Sequence, residues 1–114
     1  MSNYHFQTID WNSIQPTEHK GESGKAFWRT IQLDDLRIRI VEYSEGYLAD
    51  HWCKKGHIVY CLDGEFTSEL DNGEKFLLSK GMTYVVSDDL SSHRSFSEKG
   101  VKLLIIDGGF LKLN

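Results

Sequence analysis

Three side chains able to ligate a metal crowd into seven positions: His51, Cys53 and His57, within Asp50-His51-Trp52-Cys53-Lys54-Lys55-Gly56-His57. Imidazole nitrogens and a thiolate suit zinc, iron, copper or nickel rather than magnesium or calcium, which prefer hard oxygen donors. Backbone geometry decides whether the three converge. His51 and Cys53 are two apart and so share one face of an extended strand. If Lys54-Lys55-Gly56 forms a three-residue hairpin loop, Cys53 lies opposite His57 and all three side chains point the same way. Glycine suits the left-handed bulge position that ends such a loop. A two-residue loop at Lys55-Gly56 would instead pair Cys53 with Ile58 and send His57 to the other face. A fourth ligand has to come from His5, His19 or His93. His93 follows a predicted strand, Met82 to Val86, and the polar loop Ser87 to Ser92, which lets it return to the same wall; His5 and His19 read as solvated or packing side chains. The candidate metal set is therefore His51, Cys53, His57 and His93.

The other chemistry-bearing residues read differently. Cys61 falls on the Cys53 face but four positions along the ladder, roughly 13 Å at strand rise. That is beyond the reach of a disulfide, and Cys61 reads as a small buried hydrophobe. Tyr60 and Tyr84 are candidate ligand-pocket groups. Ser91-Ser92-His93 is adjacency in sequence rather than a nucleophile arrangement, and Asp88-Asp89 reads as a solvated loop.

From Lys25 onward the chain reads as strands. Lys25 to Leu33 and Leu36 to Tyr43 are rich in β-branched and aromatic residues, with Asp34-Asp35 placed for a tight reversal. Leu36, Ile38 and Ile40 alternate with Arg37 and Arg39, the period-two pattern of a half-buried strand. Asp63-Gly64 and Asn72-Gly73 carry two-residue hairpin chemistry, and Lys99-Gly100 marks another reversal. Eight to ten short strands without a convincing amphipathic helix point to an all-β sandwich or barrel. Residues 1–24 are polar, hold the sole proline, Pro16, and scatter Phe6, Ile9, Trp11 and Ile14. They are expected to form an arm or irregular first strand packing on the barrel, residues 25–114, or on a partner subunit.

Composition bounds what remains. A chain of 114 residues with 39% apolar and 26% charged residues is one small folded domain. Thirteen basic against seventeen acidic residues give a net charge of −4, which argues against nucleic acid or an anionic membrane as partner. No apolar run approaches a membrane span. Met1-Ser2-Asn3-Tyr4 lacks the layout of a signal peptide, and two cysteines make no disulfide framework, so a cytoplasmic location is expected. A barrel this small, with open sheet edges and an apolar arm, is expected to form a two-fold homodimer.

At these residues the sequence resembles a cupin, a jelly-roll-like β-barrel. The superfamily's first motif runs glycine, His-x-His, a short gap, Glu, six residues and glycine. Gly46, His51, Cys53, His57 and Gly64 stand at those places, with Cys53 for the second His and His57 for the Glu. Gly81 and His93 match the second motif, while Ser87 and Asp89 stand near its usual proline and glycine. Ala49-Asp50-His51-Trp52-Cys53, with Glu18-His19-Lys20-Gly21-Glu22 and Ala26-Phe27-Trp28, is similar to the small bacterial single-domain cupins of the DHCW-motif group. The resemblance implies the fold and a small-molecule ligand in the barrel mouth, and carries no specific activity. The functions it leaves open are a metal-dependent oxygenase, isomerase or hydrolase using zinc, iron or nickel, a non-catalytic binding or sensing barrel, and a closed structural metal site. A redox-responsive thiol at Cys53 ranks below these.

Overall fold

Alternating β-branched, aromatic and polar side chains, punctuated by glycines, fold here into nine antiparallel strands among the described residues. The computed structural model describes residues 3–113. Met1, Ser2 and Asn114 lie outside the described residues, and so does half of the Met1-Ser2-Asn3-Tyr4 stretch read against a signal peptide. The strands are β1 (Thr17–Lys20), β2 (Lys25–Leu33), β3 (Leu36–Tyr43), β4 (Tyr47–Leu48), β5 (His57–Leu70), β6 (Lys75–Ser79), β7 (Thr83–Val86), β8 (His93–Ser97) and β9 (Val101–Asp107). Their order is β1-β2-β3-β9-β5-β8-β4, with β6 and β7 also paired to β5. Residues 17–20 of the expected arm thus extend the sheet edge, pairing with Lys25–Trp28.

Strand β5 ties the two halves together. Its first part pairs with β7 and β9, and its second with β6 and β8. Asp63-Gly64, expected as a hairpin turn, lies inside this strand. The register with β9 shifts between Cys61 and Asp63, and Gly64 takes φ 83°. A bulge of this kind bends a strand from one sheet into the next without ending it. Asp34-Asp35 and Asn72-Gly73 do lie in hairpin turns, whereas Lys99-Gly100, expected as a reversal, links β8 to β9, which run in the same direction along successive parts of β5. Asp34-Asp35 joins β2 to β3 through Leu33 and Leu36, with Asp34 at φ 54°. Between β5 and β6 only Gly73 takes a positive φ, 93°, and Leu70 accepts from Gly73 N at 3.0 Å, so the loop is longer than the two-residue form.

The inward rows of β3, β5 and β9 set the layout of the core. Val41, Val59, Cys61, Phe66, Leu78, Val101, Leu103 and Ile105 cluster at one end. Cys61 is fully buried and both cysteines are free, as the spacing implied. At the other end the same rows become polar: Arg37 and Arg39 on β3, His57 on β5 and Asp107 on β9. The arginine face of β3 therefore lines the barrel interior rather than its outside.

The Lys54-Lys55-Gly56 hairpin is not formed. Cys53 bridges to His93, while His57 pairs with Val86. Gly56 is absent from the glycines with positive φ. Close approach demands glycine here instead: a Cβ would sit 2.6 Å from the Val86 carbonyl oxygen and 2.7 Å from the Asp88 nitrogen. Both neighbours are backbone and yield little. Gly56→Ala is expected to cost about 1–3 kcal/mol in urea unfolding, as overpacking does; an unchanged midpoint would contradict the close approach.

Candidate metal centre

Cys53 is held by mutual backbone hydrogen bonds with His93, at 2.7 and 3.0 Å, which puts the two side chains on one face. His57 enters from the start of β5. The ligand atoms of Cys53, His57 and His93 lie within 4.8 Å of one another. Cys53 Sγ stands 3.5 Å from His57 Nε2.

Each ring is oriented from behind. His93 Nδ1 donates to the Ser91 carbonyl at 2.8 Å, and His57 Nδ1 faces Asp107 Oδ2 at 3.1 Å. With Nδ1–H committed to an acceptor, each imidazole turns Nε2 and its lone pair toward Cys53. His93 is only 4% exposed, and its Nε2 has no hydrogen-bond partner among the described residues. A buried ring nitrogen left unsatisfied is costly unless something binds it. Burial pushes the Cys53 thiol up, but its hydrogen bond with His57 and the facing His93 outweigh this and bring it to about 5. Burial likewise lowers His93, but the sulfur opposite raises it on balance. Two imidazoles fixed in the ligating tautomer and a readily ionised thiol form a donor set that fits a soft or borderline divalent metal.

The centre floors a cavity of about 220 Å³ whose walls include Trp28, Arg39, Tyr43, Tyr47 and Tyr84. A second, apolar cavity of about 230 Å³ lies behind Tyr84 and His93, against Phe76, Leu78 and Val85.

Three of the four predicted ligands are brought together, and His51 stands apart. Its Nδ1 lies 2.6 Å from Asp50 Oδ1, and its side chain is 75% exposed at the cavity mouth. The parity argument that aligned it with Cys53 assumed a strand, whereas His51 lies in a bend. Tyr84 lines both cavities; Tyr60 lies between the inward Val59 and Cys61 and faces outward. His19 stacks on Trp28 at 3.7 Å between ring centroids, a packing role.

Sequence reasoning missed Asp107, Arg37, Arg39 and Trp28. Asp107 is 1% exposed and carries three partners: Arg37 through two bonds of 3.0 and 2.8 Å, Arg39 at 3.3 Å and His57. An acidic residue ending the apolar run Val101–Asp107 was the available signal. Burial alone would raise its pKa, but hydrogen bonds from His57 and Arg37 and both guanidinium charges hold it well below the ordinary 3.8. The depressed value means that this group contributes stability above its unfolded pKa, which is lost as pH falls below about 4 toward the folded value. Asp107→Asn is expected to cost about 3–5 kcal/mol at neutral pH, since it strands Arg39 without its counter-charge. It should also flatten the fall in stability below pH 4; a variant with the wild-type urea midpoint and acid profile would contradict this role.

No known family's sequence profile and no curated protein matches the chain. Solved structures do. Ectoine synthase from P. lautus superposes with a TM-score of 0.73 at 18% identity, over 96% of this chain and 80% of that one. A predicted oxalate decarboxylase from Thermotoga maritima gives 0.72 at 14% identity, over 90% and 99%. An RmlC-like cupin from Shewanella frigidimarina gives 0.69 at 19% identity, over 93% and 91%. Identities this low carry the fold and nothing of the chemistry: the chain folds as a small all-β cupin barrel.

Proposed function

We propose that this chain is a metal-dependent cupin in which Cys53, His57 and His93 hold one divalent transition metal, zinc, iron or nickel, and the cavity above takes a small molecule. The observation that carries this reading is the buried, unpartnered Nε2 of His93, aimed with His57 Nε2 at an acidic thiol. Three protein ligands leave a coordination position open, the arrangement of catalytic rather than closed structural sites. Bound there, such a metal polarises a ligand oxygen or activates water. The chain's own part is positional. Ser91 and Asp107 fix the two rings, Tyr84 backs His93, and the aromatic walls restrict water. The reaction belongs among oxygenase, isomerase and hydrolase chemistry.

His51 separates this reading from a closed four-ligand site, since its ring engages Asp50 rather than the sulfur. Untagged protein titrated with cobalt(II) is expected to bind one equivalent with a thiolate-to-cobalt absorption band. His57→Ala and His93→Ala should lose the stoichiometric binding, whereas His51→Ala should keep it. Full binding by either of the first two, or its loss in the third, would refute this ligand set.

Assembly belongs to the same reading, which follows the resemblance to the small cupins of the DHCW-motif group and places the chain in the cytoplasm. Leu77 and Val85, on strands flanking β5, are 58% and 68% exposed, and Phe6 in the N-terminal segment is 96% exposed. A homodimer covering the sheet edges or the 1–24 segment would bury this apolar surface. Sedimentation at micromolar concentration is expected to give twice the 13.1 kDa chain mass; a 13.1 kDa species would disprove it.

A further inference from the structure

Phe76 stands on the inward row of β6, two residues from Leu78, yet the two side chains meet different surroundings. Leu78 is 3% exposed and belongs to the apolar core, whereas Phe76 is 48% exposed. Ser68 lies opposite Phe76 on β5, and Leu70 lies opposite His93 on β8. Strands β6 and β7 follow the bend of β5 in succession, and neither pairs with any other strand among the described residues. The barrel is open along that edge, so the inward row of β6 borders the cavity of about 230 Å³ rather than packed side chains. Tyr84 and His93 divide this cavity from the one over Cys53. Both residues line both spaces, and their rings stand edge to face at 5.9 Å between centroids. The two spaces differ in charge. Arg37, Arg39, Lys55 and Arg94 line the space over Cys53, while no Lys, Arg, Asp or Glu lines the second. Its one imidazole is committed, with His93 Nδ1 donating to the Ser91 carbonyl at 2.8 Å and Nε2 facing Cys53.

We propose that this second cavity is a binding site for one small, uncharged, mostly apolar ring molecule, separate from the ligand site over Cys53. The site goes beyond the metal reading and does not depend on it. Charge is excluded by the walls: an ion moved out of water into a space without a counter-charge loses its hydration and gains no partner. Water is a poor occupant, because each buried water needs about two to four polar partners and the walls offer at most the hydroxyls of Ser68, Ser91 and Tyr84. A ring suits the aromatic walls Phe76 and Tyr84, which gain from offset or edge-on ring contact. Size follows from the volume. An engineered apolar cavity of about 150 Å³ takes up benzene. The space of about 230 Å³ here therefore admits one ring with a short substituent. The competing account is an open cleft wetted by bulk water that binds nothing.

Toluene, benzylammonium and benzoate share one ring and differ in charge, and so separate the two accounts. Each is titrated into the wild-type protein, zinc-loaded and metal-free, with zinc stoichiometry measured alongside. The readout is the methyl resonances of Leu70, Leu78 and Val86, which line the second cavity and not the first, and of Ala49, which lines the first and not the second. Toluene is expected to shift the first three saturably and to leave Ala49 still, in both forms of the protein. The two ions should bind at least about tenfold more weakly. Phe76→Ala removes a half-exposed wall and should weaken toluene about fivefold. The wild-type shifts test the site without requiring that variant to fold. No saturable shift at Leu70, Leu78 and Val86, a toluene response confined to Ala49, or equal affinity for benzoate would overturn the proposal. So would unchanged toluene binding by a folded Phe76→Ala. Toluene shifts in a protein that takes up no zinc support the site while ending the metal reading.

Discussion

The Asp107 carboxylate is the constraint on which the polar end of the barrel depends. Burying a carboxylate is unfavourable unless charge and hydrogen bonds meet it, and a buried arginine carries the same requirement. Here each supplies the other's need. Asp107 ends β9, Arg37 lies directly opposite on β3, and His57 begins the neighbouring β5. This rung, with Arg39 two residues further along β3, gathers a negative charge, two positive charges and an imidazole. That rung fixes the tautomer of His57 and so decides which of its nitrogens faces Cys53. The apolar cluster around Phe66 and Leu103 fills one end of the barrel, and the cavity lies at the polar end, against Arg37, Arg39 and His57.

Much of the architecture was legible in residue patterns because those patterns act locally. Asp34-Asp35 closes its hairpin since tight reversals need residues tolerant of positive φ, whatever the distant contacts. Asp63-Gly64 carries the same chemistry and does something else. Its glycine takes the required φ, but Gly100 and Val101 pack against it and the strand runs on. Local chemistry specifies a dihedral angle; long-range pairing decides whether that angle ends a strand or bends it.

The candidate site was legible by residue type more than by route. Cys53, His57 and His93 do meet, yet not through the hairpin ladder that their spacing suggested. Cys53 is positioned by His93, forty residues away in sequence, and no spacing rule within 51–57 contains that bridge. The same limit hid Asp107 and Arg39. Alternation along Leu36–Tyr43 shows two faces but not which one turns inward, and here the inward face bears the charge. Ordinary patterning would have buried Ile38 and Ile40 alone.

The Cys53–His93 bridge makes the donor set a clasp. Each of the two residues is the other's backbone partner, so the segment carrying Cys53 cannot lift away without releasing the neighbour of His93 as well. Further ties run the same way: Asp89 N donates to the Lys54 carbonyl at 2.8 Å, and Asp88 accepts from Gly56 N at 2.6 Å. Donors fastened in pairs are gained and lost in pairs. Loss of that one bridge would displace two of the three candidate donors together.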